Sequence, residues 1–230
     1  MKLKTLLEEN KIFLSDEQIE QLKKFNSLLM HANEQFNLTR ITSEDEVHRK
    51  HFLDSLKAID LIPQNAKVVD IGAGGGFPSL PIKIARPDIN LTMIDSVEKK
   101  VNFLNMVCEE LSLKNAMAIH ERIEDFAQTE NRESFDVCVA RAVASLPTLL
   151  EYALPLIKEN GILIAYKGSG VFEEIEQAKN ALKVLNASIE KTVEYVIEED
   201  RKNYLLVVKK KGCTPKQFPR RKNKPRKEPL

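Results

Sequence analysis

The run Lys67-Val68-Val69-Asp70-Ile71-Gly72-Ala73-Gly74-Gly75-Gly76-Phe77-Pro78 constrains this chain more than any other stretch. An apolar segment that ends in an acid and opens into clustered glycines reads as a buried parallel strand and a tight turn. A helix follows, with Pro78 and Pro81 in its first turn. Glycine at such a turn tolerates positive φ and keeps side chains out of the way of an approaching ligand. The stretch is therefore expected to be a nucleotide-cofactor loop.

The spacing of the glycines separates two kinds of cofactor. A dinucleotide fingerprint needs G-x-G-x-x-G, with a small third residue where helix packs on strand. Counted from Gly72 and Gly74, that place is taken by Phe77. The spacing that fits is D-x-G-x-G-x-G, filled by Asp70, Gly72, Gly74 and Gly76. It resembles the first motif of S-adenosylmethionine-dependent methyltransferases.

A chain of 230 residues, 43% hydrophobic and 30% charged, has the composition of a soluble α/β protein with an appendage. Lys2, Lys4, Glu8, Glu9 and Lys11 interrupt the first fourteen residues, which lack the apolar core of a signal peptide. No apolar run approaches membrane-spanning length, so no membrane partner and a cytoplasmic location are expected. Cys108, Cys138 and Cys213 are odd in number and far apart, unlike a disulfide framework or a zinc knuckle. His48, His51 and Asp54 are too few for a metal site, and no metal is assigned. Nothing in the sequence calls for an obligate protein partner. The net charge of +1 conceals an asymmetry: from Lys209 onward ten basic residues face the single acid Glu228, which leaves the body acidic.

Three regions are expected. Residues 1–62 read as a helical N-terminal cap, with Ser15 and Gln18 forming a capping box and Thr42 or Ser43 opening a later helix. Residues 63–211 alternate strand and helix in the manner of a doubly wound, Rossmann-like sheet, closed by an antiparallel pair at 189–196 and 204–209. In this region a helix over 146–158 should be kinked by Pro155, and one continuous helix should cover 171–185. Residues 212–230 form a basic tail whose prolines should keep it an extended arm. Such an arm can lie along phosphates, with Phe218 stacking on a base.

Ligands of such sheets collect at the carboxyl ends of the strands. Asp95, ending the second strand, can accept both hydroxyl protons of a ribose; Ile123 and Glu124, after the third, suit an adenine ring. Arg141, after the fourth, suits a methionine carboxylate or a target group, and it is the one candidate for positioning in the absence of an assigned catalytic residue. The same strand end reads Ala140-Arg141-Ala142-Val143-Ala144, without the Asn or Asp and paired prolines typical of amine methylation. Cys138, within a strand, does not offer the loop nucleophile of carbon methylation. A ring nitrogen such as guanine N7 carries a lone pair and no proton, so positioning alone can suffice. A small-molecule methyltransferase and a non-catalytic RNA-binding module remain as alternatives at this stage.

Taken together, the motifs closely resemble the RsmG family, also called glucose-inhibited division protein B. The resemblance rests on His51-Phe52-Leu53-Asp54-Ser55-Leu56, Asp70 to Pro81, Ile94-Asp95-Ser96, Phe135-Asp136, Ala140 to Ala144, Lys167-Gly168, Pro219-Arg220 and Lys224-Pro225. It implies methyl transfer from S-adenosylmethionine to guanine N7 in 16S ribosomal RNA, in the small subunit or its precursor. It implies cofactor contacts at Gly72, Phe77, Ile123, Glu124 and Arg141, beside Asp70, Gly74, Gly76 and Asp95 from the motif itself. Ile123 departs from an alanine common in the family. Expected RNA contacts are Lys167, Lys216, Arg220, Arg221, Lys222, Lys224, Arg226 and Lys227.

Overall fold

The structure, a computed structural model, describes residues 2–198, 201–221 and 223–230. The N-terminal region is helical, with α1 at Leu3–Glu9 and α2 at Asp16–Phe36. The capping box at the start of α2 forms as read: Gln18 N donates to Ser15 Oγ and Ser15 N donates to Gln18 Oε1. Gln18 Nε2 also donates to the carbonyls of Ile84 and Ala85, so the cap ties α2 to the helix after the glycine loop. Ser43 caps α3, Glu44–Glu46, which continues through a π-helical stretch, Val47–Leu53, into α4, Asp54–Leu56.

The sheet is built from β1 (Lys67–Ile71), β2 (Asn90–Asp95), β3 (Ala116–His120), β4 (Phe135–Arg141), β5 (Ile157–Lys167), β6 (Ala187–Glu198) and β7 (Arg201–Lys210). Their order is β3-β2-β1-β4-β5-β7-β6. The first five are parallel, while β7 pairs antiparallel with both β5 and β6. The strand order reverses between β1 and β4, which opens the crevice where such sheets bind ligands.

Alternation along the strands sorts the core into two faces. Val68, Met93, Val137, Val139 and Ile164 pack against the N-terminal helices, α5 (Ser79–Ala85) and α6 (Glu98–Glu110). Val69, Ile94, Cys138, Leu163 and Leu206 pack on the other side with α7 (Ile123–Phe126), α8 (Leu146–Ala153), α9 (Val171–Gln177) and α10 (Lys179–Val184). By the same alternation Asp70, Arg141 and Tyr166 point toward the N-terminal helices, because each is two or four residues from an apolar residue of that face.

Three local expectations are corrected. Helix α8 stops at Ala153, before Pro155, because Ile157 already pairs with Phe135 in the sheet. Ala178 divides the expected helix over 171–185 into α9 and α10. The tail is not an extended arm: Phe218 is buried in the second core, and a short helix α11 covers Lys224–Lys227.

Candidate functional site

Two cavities meet at the carboxyl end of β4. The first, of about 330 Å³, is lined by Gly72, Asp95, Ile123, Glu124, Val143 and Arg226, among others. The second, of about 580 Å³, lies toward β5 and the N-terminal helices, with Arg141, Asp54, Lys167, Glu174 and Tyr195 in its wall. Ala142 and Val143 belong to both walls. Ala142 takes a φ of 57°, and Val143 Cγ2 lies 3.2 Å from where a Cβ on Gly72 would stand. The bare backbone of Gly72 is what lets this partition close.

The glycine loop hangs from the end of β2. Gly72 N and Ala73 N donate to the Ile94 carbonyl at 2.8 and 3.1 Å, and Gly74 N donates to Asp95 Oδ2 at 2.9 Å. Asp95 Oδ1 accepts from Val97 N at 2.9 Å, so the carboxylate is fixed at the cavity rim with lone pairs to spare. A Cβ on Gly74 would meet only the Gly72 carbonyl, at 3.8 Å, so the loop presents open space there. Gly76 differs from the sequence expectation. Its missing Cβ would stand 2.4 Å from Leu80 Cδ1 and 3.1 Å from Leu104 Cδ2, so this glycine serves core packing instead of a ligand.

Asp70 and Phe77 also lie elsewhere than expected. Asp70 is buried beneath the loop and lines neither cavity. Its oxygens make no hydrogen bond among the described residues. Burial pushes the acid up to about 7, against the smaller downward pulls of Ser79 and Arg141. Phe77 turns its ring into the N-terminal core, 5.2 Å from the Phe25 ring and stacked at 4.2 Å on His51. Only its backbone remains for a cofactor.

Arg141 is held by the N-terminal region. It donates to Asp54 Oδ2 at 2.7 Å, to the Lys50 carbonyl at 3.0 Å and to His51 Nδ1 at 3.2 Å, with Cζ 5.2 Å from the Phe77 ring centre. Because a guanidinium only donates, His51 Nδ1 is the unprotonated nitrogen and Nε2 donates to Thr39 Oγ1. Burial, and then the Arg141 charge, lower the His51 pKa to about 4. Asp54 Oδ1 accepts from Tyr195 at 2.7 Å, and Tyr166 donates to the Ser55 carbonyl at 2.5 Å. Burial raises both tyrosines well above their usual value.

The basic candidates divide. Lys167 is bound to Glu174 at 2.6 Å and to the Ala144 carbonyl, so it holds the cavity wall. Arg220 clamps the fully buried Glu151 through Nε at 2.8 Å and Nη2 at 2.6 Å. Arg226 donates to the Val143 carbonyl at 3.2 Å, and Lys224 sits 3.6 Å from Glu228 in α11. Lys216, Arg221 and Lys227 are exposed, and Lys222 lies outside the described residues.

The residues present fit a nucleoside cofactor in the smaller cavity. Besides Asp95, Glu124 lines it, buried with Oε1 lacking any partner among the described residues, an acceptor waiting for a donor. The family model of GidB, rRNA small subunit methyltransferase G, matches residues 18–204. The chain belongs to this family. Ribosomal RNA small subunit methyltransferase G of Streptococcus pneumoniae serotype 19F (strain G54) is 45% identical over 237 residues, covering all of both chains. That of Lactococcus lactis subsp. lactis (strain IL1403) is 43% identical over 97% of this chain and 96% of its own. Two solved structures show the same fold at low identity. Cofactor-bound Rv0187 from MTB has a TM-score of 0.60 and 14% identity over 84% of this chain and 91% of that one. M. jannaschii TYW2 in complex with AdoMet has a TM-score of 0.54 and 13% identity over 74% and 79%. The fold is that of class I methyltransferases, and S-adenosylmethionine is the methyl donor of this family member.

Sequence reasoning named Arg141 but not its partners Asp54, His51 and Tyr195, nor Asn223 in the wall of the smaller cavity. The available signal was His51 and Asp54 one turn apart on either side of Phe52-Leu53, residues weighed above as metal ligands and as part of the family motif but not as partners of Arg141.

Proposed function

We propose that this member of the rRNA small subunit methyltransferase G family methylates N7 of a guanine in 16S ribosomal RNA, within the small subunit or its precursor. The smaller cavity would hold the cofactor: Asp95 at the ribose, Ile123 and Glu124 at the adenine, and the backbone of Gly72 to Gly74 along the rest. When bound, S-adenosylmethionine supplies an electrophilic methyl group on a sulfonium.

The observation that carries the N7 reading is the state of the larger cavity's wall. Each lining carboxylate is committed to a cation: Asp54 to Arg141, Glu174 to Lys167 and Glu198 to Lys50. The hydroxyls of Tyr166 and Tyr195 are spent as donors, and His51 accepts from Arg141. Such a wall is poorly placed to take a proton from a hydroxyl or an amine. Guanine N7 has no proton to lose, so the work left to the protein is to hold the ring with its N7 lone pair in line.

Purified protein incubated with isotope-labelled S-adenosylmethionine and small subunits lacking the modification tests this. Digestion and mass spectrometry of the 16S RNA should recover label in N7-methylguanosine, in greater yield than from naked RNA. Label in a ribose methyl, or in an exocyclic amine, contradicts the reading.

A further inference from the structure

We propose that the C-terminal segment is a cofactor-binding element, with Asn223 and Arg226 forming the outer wall of the adenosine cavity. Both residues line the cavity that holds Asp95, Ile123 and Glu124. They come from a segment that composition alone marks as an RNA arm, and its placement does not depend on RNA. Phe218 is buried in the second core, and Arg220 is clamped on Glu151. Thr148 Oγ1 donates to the Pro225 carbonyl at 2.8 Å. Pro225 is itself buried, which anchors α11 and with it Arg226 and the N-cap residue Asn223.

The chemistry at this wall suits a purine nucleoside. Asn223 Oδ1 accepts from Arg122 Nη1 at 3.3 Å, which orients the carboxamide. A carboxamide offers the paired donor and acceptor that match an adenine edge. The buried Glu124, whose Oε1 lacks a partner among the described residues, lines the same cavity. Arg226 reaches further in: its bond to the Val143 carbonyl holds the residue whose side chain covers Gly72. The segment therefore supplies the outer wall directly and braces the partition between the two cavities.

This inference is independent of which base is methylated, and its test uses no RNA. S-adenosylmethionine and 5′-methylthioadenosine, which lacks the amino-acid end, are titrated calorimetrically into the full chain and its variants. Asn223→Ala and Arg226→Ala are each expected to weaken both ligands by roughly tenfold, the scale of one lost hydrogen bond. Lys216→Ala and Lys227→Ala, which remove similar tail charge away from the cavity, should stay within twofold. Asn223 and Arg226 are exposed, so thermal melts of these variants should overlay that of the wild type. Wild-type affinity in both cavity variants overturns the proposal. So does a loss confined to S-adenosylmethionine, or an equal loss in the two control variants.

Discussion

At the scale of single residues, the three left-handed glycines of the loop do different jobs. Gly74 leaves open space, Gly72 leaves room for Val143, and Gly76 leaves it for Leu80 and Leu104. Gly74→Val should therefore lose S-adenosylmethionine binding while its circular dichroism spectrum stays that of the wild type. Gly76→Ala should lower stability by about 2–4 kcal/mol, the sum of a left-handed penalty and overpacking, read by urea unfolding. A sequence cannot make this distinction, because D-x-G-x-G-x-G records where side chains are absent and not what fills the space. Asp70 gives a second test. Its pKa is raised from 3.8 to about 7 by burial, so the native state holds a proton that the unfolded chain has released. The resulting stability is present at low pH and is lost as pH rises through about 7. His51, lowered to about 4, acts with the opposite sign and loses stability as pH falls from 6.5. Asp70→Asn cancels the first effect and keeps the second. Its stability relative to wild type should rise between pH 5 and pH 8 in urea unfolding, and a constant difference would refute this account of Asp70.

At the scale of elements, the helix over residues 44–56 and the C-terminal segment are the two pieces that bring distant chain to the site. The π-helical stretch Val47–Leu53 widens the helix where His51 and Asp54 meet Arg141, a common setting for such turns. The Asp54–Arg141 pair is mostly buried, so removing one partner leaves an uncompensated charge. Asp54→Ala should cost about 3–5 kcal/mol, and the double variant with Arg141→Ala should cost clearly less than the sum of the singles. Additive costs in that cycle would mean the pair is not coupled. The C-terminal segment makes the matching prediction. Arg220→Ala strands Glu151, which is 0% exposed, and should cost about 3–5 kcal/mol in the absence of any RNA, whereas a phosphate-contacting arm residue would cost almost nothing. These elements also mark the limit of what the sequence disclosed. The box at Ser15 and Gln18 is local and was legible. The partners Arg220 and Glu151 are 69 residues apart, and no spacing rule joins them.

At the scale of the whole molecule, the sheet was the most legible feature. Strand β3 begins and ends at Ala116 and His120 as the alternation indicated, and Asp95 and Arg141 fall at strand ends because the polar break in each apolar run marks that end. What the sequence left out is the arrangement across elements: Arg141 turned into the N-terminal helices, the wall at Ala142 and Val143 between two cavities, and a basic tail folded back as part of the body. Those features depend on tertiary contacts, and they set two cavities at the carboxyl end of β4, which the proposed function gives to the methyl donor and to the base. The central claim is that these two places serve N7 methylation of 16S RNA. Nucleoside mass spectrometry of 16S RNA from a strain lacking this gene tests it most directly, with complementation by the wild-type chain or by Gly74→Val. The account predicts that one N7-methylguanosine disappears on deletion and returns only with the wild-type chain. An N7-methylguanosine content unchanged by the deletion would contradict it.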